Sequence, residues 1–221
     1  MARRIKMVFH NYKIWAIGIP KTGSSSLYET FRSEGDGEHG HLNYVECKSH
    51  FDFERIKDYY NFAVVRNPYD RFVSGAHQYF RDGNGDPTTD PNHVCTYLEG
   101  KDPYALRVLN IMWTPQWTYL VDEKGEQKVT NLWRYEELNE RYVKFAKDYN
   151  EITFNKNKLP ENLAFSNVSK RGFWQEELNK NSIRIINELY AKDFEMFGYE
   201  MIDPKKFRQK KPKRKAEVVW K

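Results

Sequence analysis

Cysteine is nearly absent from these 221 residues: Cys47 and Cys95 are the only two, in no C-x-x-C pair and beside no histidine cluster. Two thiols make no disulfide framework, and that spacing offers zinc nothing to grip, so both are expected to be free. Long apolar runs are missing too. The N-terminal "MARRIKMVFHNYKIWAIGI" is basic, but His10, Asn11 and Lys13 interrupt it. No stretch nears the roughly 20 apolar residues of a membrane span. The expectation is a soluble, cytoplasmic chain without a signal peptide or membrane span.

Acidic residues are scarce at one end. The formal net charge is +5, yet residues 203–221 hold nine Lys or Arg against two acidic residues, which leaves 27 basic and 29 acidic residues in 1–202. One domain over 1–202 is expected, followed by a basic, flexible tail over 203–221. That tail reads first as a solvated charge run and second as a contact for a polyanion, whether nucleic acid, membrane or glycan. Hydrophobic residues at 39% and aromatic ones at 16% suffice for a packed core and exclude a disordered chain.

The apolar run 14–19 ends in Gly and Pro, as a buried strand entering a loop does. Leu27 and Phe31, four apart, then put the serines before them at a helix N-terminus. Further strands are expected at 42–45, at 62–65 and in "KVTNLWRY". Asn67 and Pro68 suit the start of a helix whose inner face is Phe72, Ala76 and Tyr79 or Phe80. Residues 82–103 read as a long loop or lid, and 150–172 as mostly loop. "PYALRVLNIMW" reads as a helix, and Leu138, Tyr142, Phe145 and Tyr149 stripe another. A last helix spans 181–197, with Gly198 as its cap. This order gives an α/β fold: a P-loop-like three-layer domain with a central, mostly parallel sheet flanked by helices and its ligand at the strand ends.

In "PKTGSSS" the backbone N–H groups of residues 23–26 and the dipole of the following helix form an anion site. The hydroxyls of Thr22, Ser24, Ser25 and Ser26 add donors, and Lys21 adds a mobile charge. A serine-capped helix after a tight turn is the plain alternative. A nucleoside triphosphate site would place a lysine directly after the second glycine and a magnesium-binding acid at the end of a neighbouring strand. Here Ser24 follows Gly23, and the strand "FAVV" ends in Arg66. A guanidinium fork grips a dianionic phosphate without metal, and Ser74 follows about two helical turns later. The two motifs together point to a nucleotide carrying a fixed phosphate that is held and not transferred.

"PKTGSSS" and "VVRNPYDRFVSG" resemble the sulfotransferases that use 3'-phosphoadenosine 5'-phosphosulfate. "TPQWTYL", "NLWRYEEL", "NVSKRGFW" and "LYAKDFEMFGYE" are similar to their carbohydrate branch, so the likeness runs over 14–200. It implies that Lys21, Thr22, Gly23, Ser24, Ser25 and Ser26 hold the 5'-phosphosulfate and that Arg66 and Ser74 hold the 3'-phosphate. It further implies that Tyr135 lies near the adenine and that Lys170 and Arg171 belong to a late basic loop over the 3'-phosphate. The reaction implied is metal-free transfer to an acceptor hydroxyl, with a carbohydrate as first choice, leaving adenosine 3',5'-bisphosphate. Phe165 stands where the branch has a histidine before N-x-S.

In-line displacement needs a cation at the leaving oxygen, assigned to Lys21, and a base for the acceptor proton. The histidines are His10, His39, His41, His50, His77 and His93. His50, in "KSHFDF", is the first candidate, because the resemblance puts a histidine base in that segment. His41 and Glu46 come next, with Lys48 assisting. Other readings left by the residues are a tyrosine or small-molecule acceptor, a P-loop kinase, and a non-catalytic polyanion-binding protein.

Overall fold

The computed structural model describes residues 7–32, 41–83, 90–152, 157–164 and 173–211. One sheet holds, in order, β1 (Val8–Phe9), β2 (Ile14–Ile17), β3 (Tyr60–Val65) and β4 (Leu132–Arg134). β1 returns antiparallel on β2, whereas β2 with β3 and β3 with β4 run parallel. The helices are α1 (Ser24–Phe31), α2 (Tyr44–His50), α3 (Phe53–Ile56), α4 (Pro68–Arg81), α5 (Pro91–Leu98), α6 (Pro103–Leu109), α7 (Leu138–Ile152), α8 (Trp174–Glu177), α9 (Lys180–Leu189) and α10 (Ala191–Phe197). Among the described residues no helix is long and apolar enough to cross a membrane.

Successive strand residues face opposite sides of a sheet, and here both sides are covered. Ile14, Ala16, Phe62 and Val64 pack with Leu27 and Phe31 of α1 and with Leu138, Tyr142 and Ala146 of α7. Trp15, Ile17, Ala63 and Val65 pack the other way, against Cys47 of α2, Ile56 of α3, Leu120 and Phe197 of α10. Burial on both faces is why these strands read as continuous apolar runs and not as alternations. Phe62 stacks on Trp133 with ring centroids 4.2 Å apart, which joins β3 to the short β4. A third apolar cluster, including Phe72, Ala76, Leu98, Leu106, Ile183 and Phe194, packs α4, α5, α6, α9 and α10 on one another. The expected α/β class with a mostly parallel sheet and flanking helices is therefore found.

The register places the functional segments together. Ile17 pairs with Ala63 and Val65 with Arg134, so the loop leaving β2 and the turn leaving β3 emerge at the same edge of the sheet. Asn67 caps α4 by accepting from the Tyr69 N–H at 3.0 Å, and Pro68 takes the first helical position.

Several expectations change. Residues 42–45 are not a strand. Asn43 and Glu46 form a reciprocal capping box, each side chain accepting the other's backbone N–H at 2.8 Å, and so start α2 there. Sheet periodicity was too short to outweigh that local signal. Within 82–103, Asp90 and Pro91 start the helix α5, so part of the expected lid is packed structure. The helix expected over 181–197 breaks at Tyr190, whose buried hydroxyl donates to the Trp113 carbonyl at 2.9 Å. Gly198 closes α10 with φ 64°, as expected of a left-handed cap. Beyond residue 202, Phe207 is buried and stacks on Trp174, and the Lys210 N–H donates to the Gln175 carbonyl at 2.9 Å. The chain stays packed through that stretch; residues 212–221 lie outside the described residues.

Candidate active site

The loop after β2 turns sharply. Lys21 at φ 69° and Gly23 at φ 86° both take the left-handed conformation, and the buried Thr22 hydroxyl donates to the Ile19 carbonyl at 2.9 Å. Gly23 is the N-cap of α1, which has no side-chain cap. An α-helix leaves its first N–H groups without helical partners, so this end presents donors and the positive end of a dipole. Gly23 is required sterically as well as conformationally. A Cβ there would lie 2.7 Å from Leu138 Cδ2 and 3.3 Å from Tyr135 Cε2.

Arg66 sits where β3 ends and is 6% exposed. Its Nη1 donates to the Lys21 carbonyl at 2.9 Å, tying the β3 exit to the loop. Nε and Nη2 both reach Asp70 Oδ2, at 2.7 and 2.6 Å, and the guanidinium lies 3.9 Å from the centre of the Tyr135 ring. Tyr135 thus touches Arg66 on one side and borders Gly23 on the other. Ser74, also buried, lies two helical turns into α4. Arg71, Ser74 and Gln78 recur at helical spacing on that helix. Arg71 Nε donates to the Pro20 carbonyl at 3.0 Å, and Lys21 Nζ reaches Gln78 Oε1 at 3.5 Å, so the stripe faces the loop.

Two further stretches supply buried polar side chains behind Arg66. In "TPQWTYL", Gln116 is fully buried, and its amide takes the Arg66 N–H and gives to the Arg66 carbonyl, both at 2.9 Å. In "LYAKDFEMFGYE", Asp193 is fully buried and accepts the N–H groups of Gln116 and Trp117 at 2.9 and 2.8 Å. Burial pushes the Asp193 carboxyl up to about 6, with Arg71 and the N–H donors pulling the other way. Gln116, 50 positions away in the chain, clamps the Arg66 backbone, and Asp193 in turn holds Gln116. A buried Gln beside a Pro is the only sequence trace of this, and it has no periodicity.

The histidines separate clearly. His50 is the exposed last residue of α2, with its ring edge-on to Phe51 at 5.0 Å. His41 lies against the loop, its Nδ1 hydrogen-bonded to the Gly18 carbonyl. A carbonyl only accepts, so Nδ1 carries the proton and Nε2 is the basic nitrogen of the neutral ring. Burial above all, with the charges of Arg71, Lys21 and Arg107, lowers the His41 pKa below 6.5, while the Gly18 bond opposes the shift. Glu46 is paired with Arg107 at 2.6 Å, and Lys48 lies 3.8 Å from Glu123. His10 bonds Tyr59 at 3.0 Å, and His77 bonds Glu177 at 2.5 Å. His39, Phe165, Lys170 and Arg171 lie outside the described residues. Burial pushes the thiols of Cys47 and Cys95 up to about 12, so neither is a nucleophile near neutral pH.

A family model described as "Sulfotransferase family" matches residues 6–200. No curated protein matches the chain, and no solved structure does.

Proposed function

The chain belongs to the sulfotransferase family and is a sulfotransferase; from that premise we propose that its donor is 3'-phosphoadenosine 5'-phosphosulfate and its acceptor a hydroxyl, on a carbohydrate. The observation that carries the donor reading is the bond between Arg66 Nη1 and the Lys21 carbonyl. It joins an uncapped helix N-terminus, suited to a 5'-phosphosulfate, to a buried arginine suited to a second, fixed phosphate. The tight turn extends to Gly23, where a Cβ would strike Leu138 and Tyr135 beside the loop. Apolar packing on both faces of the sheet supports the three-layer, phosphate-loop reading of the fold.

Lys21, Thr22, Gly23, Ser24, Ser25 and Ser26 are assigned to the 5'-phosphosulfate, and Arg66 with Ser74 to the 3'-phosphate. Lys170 and Arg171 are assigned to the same phosphate, on the resemblance alone. Tyr135, expected near the adenine, is assigned to the nucleotide side of the cradle, where it also backs Arg66. The donor supplies an activated sulfuryl group. Lys21 neutralises the charge left on the departing phosphate oxygen, and the acceptor's hydroxyl proton passes to a base. We assign that base to His41 in preference to His50. His41 contacts the loop, is held neutral at pH 7, and has its basic Nε2 set by the Nδ1 bond. The carbohydrate acceptor rests on the likeness of "NLWRYEEL" and "NVSKRGFW" to that branch. The basic end, 203–221, whose first part is packed on the domain through Phe207 and Lys210, is read as an accessory for a polyanion.

The test is transfer from radiolabelled phosphosulfate donor to a panel of glycosaminoglycans, simple glycans, tyrosine peptides and small alcohols. The expected label is on glycan, and it is lost in Lys21→Met. Removing a general base lowers turnover by about 10²–10⁴-fold, so His41→Gln should show that loss while His50→Gln keeps activity. Label on the peptide or alcohol would overturn the acceptor assignment. The reverse histidine result would return the base to His50.

A further inference from the structure

We infer that Asp70 is a positioning residue: it aims Arg66, and so sets the preference for a nucleotide phosphorylated at the 3' position. The inference rests on the assignment of Arg66 to that phosphate.

A guanidinium has five N–H donors in a rigid plane. In Arg66, Nε and Nη2 converge on the single oxygen Asp70 Oδ2 at 2.7 and 2.6 Å, and Nη1 gives one hydrogen to the Lys21 carbonyl at 2.9 Å. Among the described residues that leaves one N–H on Nη1 and one on Nη2. They sit on neighbouring nitrogens, on the side of the guanidinium that Asp70 leaves uncovered, where phosphate oxygens would be received. Tyr135 covers a face of the plane at 3.9 Å, and Gln116 holds the backbone N–H and carbonyl of the same residue. Tyr135 and the Lys21 carbonyl fix the plane and one nitrogen of the fork but do not fill its Nε edge. Asp70 occupies that edge.

An acidic residue at the third position of a helix is ordinary, since it favours the helix dipole. Asp70 is at that position in α4 and near its cap, with its N–H 3.4 Å from Asn67 Oδ1. The carboxylate nevertheless turns back to Arg66, 23% exposed against the arginine's 7%. Its negative charge lies on the edge of the guanidinium away from the two remaining donors. Orientation therefore outweighs repulsion between Asp70 and the bound phosphate.

The two effects predict opposite results. Calorimetry on the full chain would compare adenosine 3',5'-bisphosphate with adenosine 5'-monophosphate in the parent, Asp70→Ala, Asp70→Asn and Arg66→Lys. Asp70→Ala should weaken the bisphosphate about tenfold, as expected for loss of one oriented charged hydrogen bond, and leave the monophosphate unchanged, both read well below the melting temperature of the variant. Asp70→Asn keeps an acceptor oxygen without the charge and should restore most of the loss. Bisphosphate binding as tight as or tighter than the parent's in Asp70→Ala would overturn the inference. So would equal losses in Ala and Asn, or equal losses for both nucleotides. If the parent shows no preference for the bisphosphate, or Arg66→Lys keeps it, the assignment of Arg66 itself fails.

Discussion

Two residues of one loop, Lys21 and Gly23, share the left-handed conformation but should respond in opposite ways to exchange. In Gly23→Ala, φ 86° forces an L-residue into a conformation costing roughly 1–2 kcal/mol. The new Cβ would also stand 2.7 Å from Cδ2 of Leu138, a buried side chain with little room to turn. Overpacking of that kind costs about 1–3 kcal/mol. The expected destabilisation is thus about 2–5 kcal/mol, or about 5–15 °C in melting temperature for a chain of this size. Lys21→Gly relieves strain at φ 69°, worth about 1 kcal/mol, and gives back about as much through the freer unfolded chain. It should melt within a few degrees of the parent and have no transferase activity. Thermal unfolding by circular dichroism, with bisphosphate binding by calorimetry, reads both. Gly23→Ala melting within about 2 °C of the parent would refute the steric argument. So would Lys21→Gly proving the less stable of the two.

The acid limb of the kcat/KM profile should fall below pH 6.5, because burial and the Arg71, Lys21 and Arg107 charges penalise protonation of His41. Arg107→Met removes one of those charges and releases Glu46 from its pair, so the limb should move to higher pH; a limb that stays put would detach His41 from the profile. Gln116→Met strips the partners from the Arg66 backbone N–H and carbonyl, and should cost about 2–4 kcal/mol by chemical denaturation. A neutral result would mean that the clamp is not a clamp. Phe207→Ala should cost about 3 kcal/mol, since the ring is buried against Trp174. Any deletion that tests the basic end should keep residues 203–211, because Phe207 and Lys210 pack on α8.

The loop, the α4 start and the sheet class were legible because each is written in local terms. Gly23 with a serine run states a turn and a helix N-terminus, Asn67-Pro68 states a cap, and residues buried on both faces state a parallel strand. Elsewhere two local signals compete, and the chain obeys the one that caps a helix. At 42–45 four residues of apparent strand gave way to the Asn43–Glu46 capping box. At 82–103 a high content of loop-forming residues hid the helix start at Asp90-Pro91.

From sequence alone come the anion loop and the arginine at the strand end, since those depend on neighbours within a few residues, and the expectation of a phosphosulfate donor, which the resemblance implies. Only the tertiary structure decided that His41 meets the loop, that Gln116, held by Asp193, grips the Arg66 backbone, and that Asp70 covers the Nε edge of Arg66. Those depend on side chains from distant segments converging at one edge of the sheet. Parallel pairing of β2 with β3 and the packing of α4, α7 and α10 create that meeting point, and residues brought there from far along the chain leave no period or spacing to read.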